Sequence, residues 1–109
     1  MHSTLIVARL DPSSVGDVGK LFADFDRTDM PQRMGTVRRQ LFSYQGLYFH
    51  LQDFESDDGG ERIAAARSHP LFVGISEDLK QHITAYDPAT WRSPADAIAQ
   101  RFYHWEQDS

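Results

Sequence analysis

The sequence contains no cysteine. Disulfides, thiolate nucleophiles and cysteine-bound zinc are therefore excluded as sources of stability or chemistry. Positive charge is also scarce: 11 Lys and Arg stand against 16 Asp and Glu, a net charge of -5 at pH 7. A nucleic-acid partner needs a basic stripe to displace the counterions of phosphate, and the local pair Arg38-Arg39 is too small to supply one. No apolar run approaches the length of a transmembrane helix, and Met1 to Arg9 lacks the basic start and long apolar core of a signal peptide. No membrane partner is expected, and the lack of cysteine fits a reducing cytoplasm. His2, His50, His69, His82 and His104 show no paired ligand spacing, so no metal is expected.

What is present suits one folded domain spanning residues 1–109, with 40% hydrophobic and 12% aromatic residues and both charge signs spread along the chain. Thr4 to Leu10 reads as a buried strand ended by Asp11-Pro12. From Val15, the positions Val18, Leu21, Phe22 and Phe25 recur at helical spacing. Met30-Pro31 marks a loop, because proline disfavours helical geometry in the residue before it. Arg38 to Leu51 has the pattern of a hairpin, two strand-like runs around Gln45-Gly46. Asp53 to Gly60 reads as an exposed acidic connection. A helix restarts at about Gly60, is interrupted at Ser68-His69-Pro70, and continues with Leu71, Phe72, Ile75, Leu79 and Ile83 on one face. Ala89 to Ala95 reads as an ordered loop anchored by Trp91, Ala97 to Trp105 as the last strand, and Glu106 to Ser109 as a frayed tail.

The order strand, helix, strand, strand, helix, strand is the split βαβ pattern of a ferredoxin-like α+β fold with an antiparallel sheet. Side-chain alternation then divides the hairpin. Arg39, Leu41, Ser43, Tyr48, His50 and Gln52 share one face, expected to look toward the helices. Phe42, Tyr44 and Phe49 share the other, an aromatic patch that a second copy would bury, giving a homodimeric α+β barrel.

Several stretches together resemble the aromatic polyketide cyclases of the tetracenomycin cyclase type over nearly the full chain. They are Asp11-Pro12, Phe25-Asp26 before Met30-Pro31, Gly35 to Leu41, Leu47-Tyr48-Phe49-His50-Leu51, Arg67-Ser68-His69-Pro70-Leu71-Phe72 and Phe102-Tyr103-His104-Trp105. Arg38 to Tyr44 and Tyr86 to Pro94 resemble the spore-pigment members in particular. The resemblance implies a dimeric barrel protein of type II polyketide pathways. It implies further that such a protein closes and aromatises a ring on a poly-β-ketone, free or carrier-bound, without a cofactor and with type II polyketide synthase components as candidate partners. It also implies cavity positions at Arg39, His50 and Asp26, and a histidine in the tetracenomycin type where this chain has Phe25.

Residue chemistry fits that reaction. An imidazole with a pKa near 6.5 both accepts and donates protons, which makes His50 the expected proton carrier. Arg39 stays protonated and offers several donors to an enolate oxygen. Asp26 orients the histidine or balances the arginine. Tyr48, Phe25, Trp91 and His69 are expected to contact substrate, with wall or core packing the alternative for Tyr48 and Trp91 and helix capping the alternative for His69. A plain structural ion pair is the alternative for Arg39 with Asp26 or Asp53. Competing functions are a cofactor-independent anthrone-type monooxygenase of the same fold and a non-catalytic polyketide-binding module.

Overall fold

The computed structural model describes residues 2–92 and 94–107. The apolar N-terminal run forms β1 (His2–Leu10), ended by Asp11, whose carboxylate accepts from the Ser13 N–H at 2.9 Å and caps a short 3-10 turn. Helix α1 (Val15–Asp26) buries Val18, Phe22 and Phe25, the face that helical spacing predicts. Strands β2 (Thr36–Tyr44) and β3 (Leu47–Phe54) form the expected hairpin. Gln45 and Gly46 at its tip both have positive φ, 47° and 82°, the combination that lets a two-residue turn follow the twist of the strands.

The sheet order is β2-β3-β1-β4 with every neighbouring pair antiparallel, β4 being Ile83–Thr84. This is the ferredoxin-like order. Helix α3 (Gly59–Ala66) is followed by α4 (Pro70–Leu79), which packs on α1. Ala8, Leu10, Val18, Phe22 and Tyr48 form a buried cluster against which Ile75 and Leu79 of α4 close. A second cluster joins Phe25 to Met30 and Met34 and is flanked by Ile63 and Phe72.

The structure corrects four expectations. Met30-Pro31 is not a loop: Met30–Met34 is a short helix, α2, with proline in its first turn, where no N–H is needed, and Met30 and Met34 buried four residues apart. Gly35 ends it with φ 74°. Asp53 does not open an exposed connection but sits inside β3 and is buried at 3% exposure. It accepts from the Ser3 hydroxyl and the Arg38 guanidinium, which hold its carboxyl below the usual range. Ile83 does not continue α4. The helix ends at Leu79 in tightening i→i+3 bonds, from Lys80 to Glu77 and His82 to Leu79, and releases Ile83 to pair with Leu10.

The largest correction concerns the last strand. Ala97 to Trp105 is not a strand; it meets β1 at Ile98, which bridges Ile6, with Ala99 N–H donating to the Leu5 carbonyl at 2.7 Å. Beyond that the chain leaves the sheet, and Phe102, Tyr103 and Trp105 are exposed, Phe102 at 97%. Apolarity alone produced the strand reading; β4 takes the β1 edge at Arg9 and Leu10, and Ile98 and Ala99 touch that edge at Ile6 and Leu5 before the chain turns away. The frayed tail expected over Glu106 to Ser109 lies partly outside the described residues.

Candidate active site

Strand register sets the site. Thr4, Gln52 and Arg39 stand in one row across β1, β3 and β2, and Ile6, His50 and Leu41 in the next. Both rows face the helices. Arg39 and His50 are thus on one side of the sheet, as alternation requires.

The Arg39 side chain is buried at 7% exposure, and each contact uses a defined nitrogen. Its Nε–H donates to both carboxylate oxygens of Asp26 at 3.1 Å. Nη1 donates to His50 Nε2 at 2.8 Å and to Gln52 Oε1 at 3.3 Å. Nη2 lies 3.0 Å from Asp26 Oδ1 as a charge contact, but it is buried and has no aligned hydrogen-bond acceptor. The guanidinium carbon stands 4.9 Å from the ring centre of Phe22 and 5.7 Å from that of Phe25, so two π-faces complete the surroundings of the cation. An ion pair formed only for stability returns about 0–1 kcal/mol at the surface and loses more than that when its cation is buried. The depth of Arg39 therefore favours a role that needs a dry cation.

His50 is buried between Phe22 and Tyr48, with ring centres 5.1 and 6.1 Å away and both contacts edge-on. Burial, and then the neighbouring Arg39 charge, push its imidazole from the usual 6.5 down to about 3. Arginine can only donate, so Nε2 must present its lone pair and the ring proton sits on Nδ1. His50 is neutral across the physiological range, and its accepting nitrogen is occupied. Burial likewise raises the Tyr48 phenol far above its ordinary range, despite the opposing Arg39 charge.

The structure brings five expected residues together: Arg39, His50, Asp26, Tyr48 and Phe25. Trp91 is half-buried and packs on the cluster that contains Phe22 and Tyr48. His69 stands elsewhere, as the cap of α4, with Nδ1 accepting from the Leu71 N–H at 3.1 Å. Two surface cavities, of about 480 and 410 Å³, include neither Arg39 nor His50. Among the described residues no group of three His, Asp or Glu side chains forms a metal cluster.

A family profile described as polyketide synthesis cyclase matches residues 2–106. The chain belongs to the polyketide synthesis cyclase family. Tetracenomycin F2 cyclase of Streptomyces glaucescens is 39% identical over 104 residues, covering 95% of this chain and 94% of that protein. Its solved structure, described as that of a type-II polyketide cyclase, superposes with a TM-score of 0.91 at 37% identity, over 99% of this chain and all of the other. Polyketide synthase CurG of Streptomyces cyaneus is 43% identical over 109 residues, covering 99% of this chain and 100% of that protein. An antibiotic biosynthesis monooxygenase structure superposes with a TM-score of 0.54 at 13% identity, over 76% of this chain and 86% of that one. That likeness concerns the fold alone, the one shared by dimeric α+β barrels.

Three further residues stand at the cluster that were not expected as site residues: Phe22, Gln52 and Thr36. Phe22 reads as ordinary helix core. Gln52 was available from alternation, two residues beyond His50 on the same face. Thr36 was not, because a bulge between Thr36 and Arg38 shifts the strand by one residue and turns Thr36 inward, where it accepts from Gln52 Nε2 at 2.6 Å.

Proposed function

We propose that this cyclase-family protein closes and aromatises a ring on a poly-β-ketone of a type II pigment or antibiotic pathway, with Arg39 as the group that stabilises the reacting oxygen. A CH₂ between two carbonyls loses a proton, and the resulting enolate carbon attacks a second carbonyl of the same chain. One C–C bond forms, and the carbonyl oxygen becomes an alkoxide that takes up a proton. Loss of that oxygen as water, with a further C–H proton, leaves a double bond, and enolisation completes the aromatic ring. The sequence balances without an oxidant, a metal or a cofactor.

The observation that carries this reading is the buried guanidinium with an Nη2 edge that lacks an aligned acceptor. Negative charge develops on oxygen twice in the reaction, and a fixed cation in a dry site stabilises it without reorganising. Asp26 holds the guanidinium from the side of α1, and the buried rings of Phe22, Phe25 and Tyr48 keep its surroundings dry. In this proposal His50 holds Arg39, a reading that the 2.8 Å contact between Nη1 and Nε2 supports.

The working unit in this proposal is a cytoplasmic homodimer with one cyclase domain per chain, acting on a free or carrier-bound intermediate beside type II synthase components. Phe42 at 50% exposure, Tyr44 and the exposed Phe102, Tyr103 and Trp105 supply the apolar surface that a second copy would cover. The test is reconstitution with a minimal type II synthase under anaerobic conditions, with products compared with and without the protein. Ring closure without oxygen supports the cyclase. A product profile unchanged by the protein, or an effect that requires oxygen, rejects it.

A further inference from the structure

We propose that Gln52 is a positioning residue of this site: with Thr36 behind it, it takes one Nη1 proton of Arg39 while His50 takes the other, so that the guanidinium plane is fixed between Asp26 and β3. The proposal rests on the reading of Arg39 as oxyanion holder. It adds the residues that fix the orientation of the guanidinium.

The proton count makes the argument. A guanidinium carries five N–H bonds in a fixed plane and no acceptor. The Nε proton goes to Asp26, and the two Nη1 protons go to His50 and Gln52. The two Nη2 protons have no aligned acceptor. Because arginine only donates, Gln52 must turn its oxygen toward Arg39 and its NH₂ toward Thr36, whose hydroxyl accepts at 2.6 Å. The amide orientation is thereby fixed by chemistry on both sides. Gln52 is buried at 4% exposure in the central strand β3 and stands between β1 and β2, so it is a rigid support. Without it Nη1 would hold only one of its protons in place, and the Nη1 end of the guanidinium would rest on His50 alone while Asp26 holds the Nε side.

The test combines two measurements on the full-length protein. The first is low-temperature NMR of the Arg39 guanidinium. Wild type and Thr36→Ser should show separate, slowly exchanging Nη signals; Gln52→Leu and the milder Thr36→Val should merge them. The second is binding of 1,8-dihydroxyanthraquinone, whose visible spectrum distinguishes phenol from phenolate. Wild type should bind the phenolate and lower the phenol pKa. Gln52→Leu and Thr36→Val should weaken phenolate binding by about tenfold, as expected for loss of a hydrogen bond to a charged group, with Thr36→Ser within about twofold of wild type. Separate Nη signals persisting in folded Gln52→Leu overturn the proposal. So does wild-type phenolate binding in Gln52→Leu when Arg39→Gln has lost it. Phenolate binding that Arg39→Gln leaves intact instead overturns the oxyanion-holder reading, and the NMR result still decides the role of Gln52.

Discussion

The two faces of the β-sheet invert the usual relation between polarity and burial. The helix-covered face carries a guanidinium, an imidazole and a carboxamide, all buried. The outer face carries Phe42 and Tyr44, both exposed, beside the Phe49 and Val7 row. Burying polar groups costs free energy unless they are paired, and exposing aromatics forgoes free energy unless something covers them. On the proposed reading, a substrate oxygen accounts for the inner face and a second copy for the outer face.

The largest effect should come from breaking the outer face. If the proposed homodimer forms, wild type should scatter light as a dimer and Phe42→Asp as a folded monomer, with far-UV circular dichroism retained because Phe42 is half in solvent already. An unchanged dimer would place the interface elsewhere.

The inner face is sharpened by pH. Burial, and then the Arg39 charge, lower the folded His50 imidazole to about 3 from its usual 6.5. Its contribution is fully present above about pH 6.5 and is lost as pH falls toward 3, because only the unfolded chain takes up the proton in that window. The slope should approach about 1.4 kcal/mol per pH unit in denaturant titrations, and His50→Gln should remove this component. A His50 signal titrating between pH 5 and 8 by NMR would contradict the buried neutral ring.

The smallest effect belongs to a polar residue on neither face. His69→Ala should cost roughly 0.5–1 kcal/mol, the worth of a helix cap, measured as a shift in thermal midpoint, and leave the product profile as it was. A changed profile would return His69 to the substrate contacts.

Much of this was legible in the sequence. Alternation along β2 and β3 separated Arg39 and His50 from Phe42 and Phe49, and the helical period of α1 placed Phe22 and Phe25 inward. What it missed has physical causes. Thr36 sits one residue beyond a bulge, which reverses the parity that alternation relies on. Met30-Pro31 looked like a break because proline is compatible with a first helical turn as well as with a loop. Ile83 and the segment from Ile98 to Trp105 are apolar for sheet pairing or for a partner surface, and composition does not say which. The protonation of His50 was also beyond reach, because a strand pattern shows which face a ring takes but not that an arginine occupies its lone pair.

The most direct test of the central claim compares two glutamine substitutions in anaerobic ring closure. If Arg39 is the oxyanion holder, Arg39→Gln should slow closure by about 10²-fold or more. His50→Gln, whose amide oxygen can still accept from Nη1, should slow it by no more than about tenfold, the scale of one hydrogen bond to a charge. The reverse ranking, with Arg39→Gln near wild type and His50→Gln inactive, would contradict the account.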